Sequence, residues 1–264
     1  MSSELERLVA LVTSANVYLN DDTEKHNLES TITEYCHGVE FIDNPLLGIA
    51  GSTRTIASNA EKWFAYLKEE ESTKVRLHYN PSARADIPQS IRDIIVEYAN
   101  GWLIEAQYSE FNRLYVQLMN SQKMGLPPSW KTYFVLLEDS CKNLDNTSPS
   151  VKESIDNLDS LLETLSGFAN RFEHTRHWAD NFTASRQVLH NSSLTFIDLI
   201  PNDIYSKDAY QLLQAVLSSW VFGGMGSWND LVFNGDDANR YESLTKQLYE
   251  IICTSIASVV NSYP

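Results

Sequence analysis

The densest run of groups able to do chemistry is Glu173-His174-Thr175-Arg176-His177-Trp178-Ala179-Asp180. On a helix, His174 and His177 stand one turn apart on one face, and Glu173, His177 and Asp180 share another. Imidazole and carboxylate at that spacing suit several divalent first-row ions. His174, His177 and Asp180 are therefore the metal-ligand candidates. A single helix supplies too few ligands for a closed site, and a polar helix end accounts for the same residues. The expectation is that no metal and no cofactor is bound.

Other catalytic patterns are incomplete. Glu34-x-x-His37 matches half of a di-iron carboxylate site, but no second Glu-x-x-His occurs in the chain. No Gly-x-Ser-x-Gly is present, and Ser227 in Gly226-Ser227-Trp228 lacks both the following glycine and a strand before it. Cys36, Cys141 and Cys253 are far apart, form no Cys-x-x-Cys, and read as core residues on apolar helix faces. Gly223-Gly224-Met225-Gly226 follows a helical pattern, whereas a dinucleotide loop follows a strand.

The most unusual stretch is Trp220-Val221-Phe222-Gly223-Gly224-Met225-Gly226-Ser227-Trp228-Asn229-Asp230. Three glycines allow a sharp turn, ringed by large apolar side chains. One reading is a helix-to-helix corner plugged by Trp228. The other makes Met225 and Trp228 an exposed anchor, rimmed by Asn229, Asp230, Asp236 and Asp237, as in an interface hot spot. These six residues are the partner-binding candidates.

With Tyr241-Glu242 and the helix running to Asn261-Ser262, this stretch resembles the C-terminal end of small uncharacterised bacterial cytosolic proteins of the toxin-immunity type. The resemblance covers the last quarter of the chain, Ala215 to Ser262, and its distinctive part starts at Trp220. It implies an inhibitor that masks a toxin and implies no catalytic residue.

Charge points the same way. Lys and Arg number 20 and Asp and Glu 35, a formal charge of −15. No basic stripe exists to displace counterions from phosphates, so nucleic acid is not an expected partner. An acidic surface instead steers basic proteins. No apolar run approaches the roughly 20 residues of a membrane span. Met1 to Asp22 has no basic segment leading into an apolar block, so a cytoplasmic location is expected.

The elements that would position these groups read as helices, from apolar residues recurring about every 3.6 positions. Ser3 with Glu6 opens the first. A second starts near Asp22 and buries Leu28, Ile32, Tyr35, Val39 and Ile42. A third follows Asn44-Pro45 with Ile49, Ile56, Ala60, Trp63, Phe64 and Leu67 inside. Lys74 to Asn80 alternates and reads as a short strand or linker. Asp86 and Pro88 open a helix carrying Ile87, Ile91, Ile94, Tyr98 and Trp102 and extending as far as Met119, with Gly101 as a bend point. Ser129 opens another with Tyr133, Phe134, Leu137, Cys141 and Leu144. Ser148-Pro149, or Ser150 with Glu153 as a capping box, opens a helix with a clean seam from Val151 to Phe172. A short helix falls around Trp178 to Leu189, within the ambiguous region 174–205. Ser206 opens a helix ending at Gly223–Gly224, and Asp236 or Asp237 caps the last. The expected architecture is mainly α: one helical domain over 1–264, a bundle of about eight helices with one or two minor extended segments, and a seam near 121–128.

Three functions compete. The first is a non-enzymatic, acidic immunity or inhibitor protein that binds and masks a basic protein partner. The second is a helical metal-binding protein or hydrolase built on residues 173–180, with His37 or His78 brought close by folding. The third is a homo-oligomeric structural subunit that buries the Trp228 region against itself.

Overall fold

The structure is a computed structural model that describes residues 3–20, 32, 38–43, 54–80, 87, 89–122, 129–141, 144, 148–191 and 204–264. It is an α/β protein, which corrects the expected all-helical bundle. The described residues hold seven α-helices and one six-stranded sheet. None of these helices is long and apolar enough to cross a membrane. The chain divides into two compact units, Ser3–Thr147 and Ser148–Pro264. The division lies between Thr147 and Ser148 and not near 121–128, where β5 and β6 (below) end and begin.

The N-terminal unit carries the sheet. Its elements are α1 (Ser3–Asn20), β1 (Val39–Asp43), β2 (Arg54–Ala57), α2 (Ala60–Glu69), β3 (Lys74–Tyr79), α3 (Gln89–Tyr98), β4 (Trp102–Gln107), β5 (Asn112–Gln122) and β6 (Ser129–Cys141). The strand order is β2-β1-β6-β5-β4-β3. The β1–β6 pair is parallel and the others are antiparallel.

Both faces of this sheet are covered. On one, Trp63 of α2 stacks on Phe41 at 4.4 Å and meets Tyr115 edge-on at 5.5 Å. Ile91 and Ile95 of α3 pack on the other face against Leu103, Leu114, Val116 and Val135. A strand buried on both sides loses the polar–apolar alternation that marks a strand. That is the physical reason 102–119 and 129–141 read as helices. In β6, Phe134 and Leu136 face one side and Tyr133, Val135 and Leu137 the other, so the apolar run mimics a helical stripe.

The helix before β4 ends where the backbone turns left-handed. Asn100 and Gly101 have φ of 47° and 82°, a pair that cannot continue a right-handed helix. A Cβ on Gly101 would sit 3.3 Å from the Tyr79 ring, so glycine is needed for space as well as for φ. At β1, Val39–Asp43 is strand and not the end of a helix; the preceding Tyr35 and Leu28 lie outside the described residues, as do Asn44-Pro45 and Ile49. Ile56 falls on β2, and α2 starts later, capped by Asn59, whose side chain accepts from the Lys62 amide at 2.9 Å.

At Val75 the sheet's β3 edge is capped by one side chain. The buried Asn16 amide of α1 donates to the Val75 carbonyl and accepts from the Val75 N–H, both at 2.8 Å. It takes the place of a neighbouring strand on an edge that would otherwise invite pairing.

The C-terminal unit is helical: α4 (Val151–Ala169), α5 (Arg176–His190), α6 (Lys207–Ser218) and α7 (Asp236–Asn261), with short 3-10 turns at Glu173–Thr175 and Trp228–Asp230. Ser150 caps α4 by accepting from the Glu153 amide, and Ser206 caps α6 by accepting from Ala209. Leu158, Leu162, Leu165 and Phe168 of α4 and Leu244, Leu248, Ile252 and Val259 of α7 form its core.

Candidate functional site

The loop joining α6 to α7 begins earlier than the glycines suggest. The Ser219 hydroxyl donates to the carbonyls of Ala215 and Val216, at 2.8 and 3.2 Å. The Ala215 carbonyl also accepts from the Ser219 amide at 2.9 Å, which closes the last turn of the helix. Helix α6 therefore stops at Ser218, and Gly223-Gly224-Met225-Gly226 lies in open loop rather than at its cap.

That loop is braced at several points. The Asp230 carboxylate accepts from the Gly226 and Ser227 amides, at 2.8 and 3.3 Å, and with Ser227 completes a capping box. The Trp228 amide donates to the Val221 carbonyl at 3.2 Å. Trp228 itself is fully buried. Its indole N–H donates to Thr245 at 2.8 Å, and the Tyr241 hydroxyl donates to its carbonyl at 2.5 Å. Its ring lies 5.0 Å from Phe182, 5.3 Å from Tyr241, 6.1 Å from Trp178 and 6.4 Å from Phe168.

Trp228 is thus the plug of the corner, and the expectation that it is an exposed anchor is corrected. Its side chain is committed to an aromatic core that a partner does not reach. Met225, by contrast, is as exposed as a free side chain, at 103%. Val232, which the sequence reading did not single out, is 82% exposed. Among the described residues the only other exposed large hydrophobic is Val96. Asn229, Asp230 and Asp236 are exposed. Asp237 is held by Arg171 at 2.9 Å, and Arg171 also lies over the Phe168 and Phe172 rings. Residues 148–264 hold 14 acidic and 7 basic side chains, so the loop sits on an acidic unit.

The metal candidates are not assembled into a site. His174, His177 and Asp180 are exposed. The His174 ring lies near Phe172 and Phe233, at 6.0 and 5.9 Å, and the His177 ring lies 4.9 Å from Trp178. Among the described residues no three His, Cys, Asp or Glu side chains are grouped to hold a metal ion. Glu34, Cys36 and His37 lie outside the described residues.

The N-terminal unit contains a polar cluster that the sequence reading missed. Glu105 of β4 is 0% exposed. One carboxylate oxygen lies 2.9 Å from His78 Nε2 and accepts from the Gln107 amide at 3.3 Å. The other accepts from the Asn112 amide and, at 2.9 Å, from the Leu144 backbone N–H. Burial alone would push this carboxyl up. The hydrogen bonds from His78, Leu144 and Asn112, with the His78 charge, outweigh burial and hold it below its ordinary range. The signal was present: Glu105 is the one acid in the apolar run Trp102 to Ala106. Both oxygens are taken by donors of the fold, so this is a lock and not a reactive group. The nearby Cys141 thiol donates to the Asn112 carbonyl at 3.3 Å. Burial, with the Glu105 and Glu138 charges, pushes it up to about 12, which leaves almost no thiolate to act as a nucleophile.

Arg113 forms a second buried hub. It donates to Asp139 at 2.5 Å, Tyr66 at 2.8 Å, Tyr108 at 3.2 Å and Glu70 at 3.2 Å. Two carboxylates balance its charge, so it offers no anion site.

No protein-family model, curated protein or solved structure matches this chain.

Proposed function

We propose that this chain is a non-enzymatic binding protein, an acidic inhibitor of the immunity type, that masks a basic protein partner through the α6–α7 loop. The observation that carries this reading is the pairing of full exposure with a hydrogen-bonded brace on the turn. Met225 and Val232 are two of the three large hydrophobics exposed among the described residues. Both flank a turn held by Asp230, Tyr241 and the buried Trp228. A mobile loop would lose conformational freedom on binding; a braced one has little left to lose. The acidic surroundings favour a basic partner and predict faster encounter at low salt.

The test is capture from the native cell with the full chain, eluted in steps of rising salt, beside Met225→Lys. The expected result is a stoichiometric basic protein that the wild type retains and the variant loses. Burial of a methionine contributes about 1.5–3 kcal/mol, so the variant should bind at least about tenfold more weakly. Absence of any stoichiometric partner, or full retention by Met225→Lys, refutes the reading. Self-association through the same loop would appear in light scattering as a species of twice the mass that Met225→Lys abolishes.

A further inference from the structure

We propose that Met225 is an oxidative modification site at which a peroxide turns the apolar tip of the loop polar and so weakens partner binding. This rests on the loop being the binding surface. The sulfur atoms whose side chains are described are those of Cys141, Cys253 and Met225. Cys253 is fully buried in α7. Cys141 is half-buried, and its thiol is engaged with the Asn112 carbonyl at 3.3 Å. It is also pushed up to about 12, so it stays protonated and slow to react. Met225 has no proton to lose, and its reactivity is governed by access.

Access is complete. The side chain is 103% exposed. A Cβ built on Gly223, Gly224 or Gly226 would meet nothing within 4 Å, so the space around the turn is open. The step is a two-electron oxygen transfer. The peroxide O–O bond breaks, an S–O bond forms, the thioether becomes a sulfoxide, and hydrogen peroxide leaves as water. The product is polar and chiral, and sulfoxide reductases can reverse it. The bonds that brace the loop run through Asp230, Trp228, Tyr241 and Thr245, not through the Met225 side chain. Oxidation therefore changes the surface without loosening the fold, which separates it from ordinary oxidative damage.

The experiment treats the full chain with graded hydrogen peroxide and maps oxygen addition by peptide mass spectrometry. Thermal unfolding and capture of the partner are then measured on the oxidised chain, on Met225→Leu and on Met225→Lys. Met225 should gain one oxygen before Cys141 or Cys253 reacts, Tm should hold, and capture should fall about tenfold. Peroxide should leave capture by Met225→Leu at that variant's own untreated level, and bound partner should slow oxidation at Met225. The inference is overturned if either cysteine reacts first, if Tm falls in step with Met225 oxidation, or if the sulfoxide form captures as well as the untreated chain. Loss of capture in Met225→Lys with retention in the sulfoxide form would overturn this inference alone. Retention in both would overturn the loop as the binding surface.

Discussion

Replacing Glu105 with glutamine keeps the shape of the side chain and removes its charge. The wild-type carboxylate accepts from four donors: His78, Gln107, Asn112 and the Leu144 amide. In Glu105→Gln one oxygen becomes an NH2 group, which must face two of those donors. Hydrogen bonds to a charged group contribute about 1.5–3 kcal/mol each, and removing one partner of a buried charged pair costs about 3–5 kcal/mol. A loss of about 3 kcal/mol is expected, felt in β4 and β3. The assay is hydrogen exchange of peptides spanning 74–107 and of the Leu144 amide, with urea unfolding alongside. Two units need not unfold as one, so peptide-level exchange is the safer readout. The carboxyl is held below its ordinary range, so its contribution is complete above the unfolded carboxyl pKa, about 4.3. That contribution is lost as pH falls through the lower folded value. The gap between wild type and Glu105→Gln should therefore be constant from neutral pH down to the ordinary carboxylate range and close below it. A gap under about 1 kcal/mol at pH 7, or one that widens in acid, would refute the lock. The double change Glu105→Leu with His78→Leu should lose at least as much as Glu105→Gln, because the buried Asn112 amide and Leu144 N–H are then left without an acceptor.

Two further perturbations separate folding from binding. Trp228→Ala should cost about 3–5 kcal/mol through the cavity it leaves among Phe182, Tyr241 and Phe168. Thermal unfolding would show it, and an unchanged Tm would mean the corner does not depend on its plug. Asn16→Ala should free the Val75 N–H and carbonyl at the β3 edge. Exchange at Val75 should then speed up and light scattering should show association through the opened edge. A monodisperse variant with a slow Val75 amide would contradict the edge-cap role.

What the sequence made legible followed local chemistry. Ser150, three residues before Glu153, and Ser206 cap helices where the sequence places helix starts, because capping is decided within one turn. The alternation at Lys74–Tyr79 marked β3, an edge strand with a visible period. The central strands were hidden by their own burial. Trp102 to Ala106 is buried on both faces, and a continuous apolar run carries no period to separate strand from helix. The left-handed pair at Asn100 and Gly101 was the available clue that the helix could not run on. Glu105 was visible as a lone acid in that run, but its four donors come from β3, β4, β5 and Leu144, and only the fold brings them together.

The site divides differently from its residues' appearance in sequence. Trp228 has the size and chemistry of a hot-spot anchor, yet its burial makes it the element that fixes the loop. Met225, flanked by glycines that suggest mobility, is the side chain the fixed loop exposes. Asp230, the central acid of the rim, has an oxygen engaged by the Gly226 and Ser227 amides, and Asp237 is engaged by Arg171. Only Asp237 is paired with a cation; Asp230 keeps its charge, because its partners are neutral amides, and Asp236 is exposed. On the proposed function, attraction of a basic partner then comes from these rim acids together with the spread of acids over the unit. Screening acts on exposed charges beyond a Debye length, about 8 Å at physiological ionic strength. Salt should therefore slow association strongly while leaving dissociation, governed by Met225 and Val232, nearly unchanged.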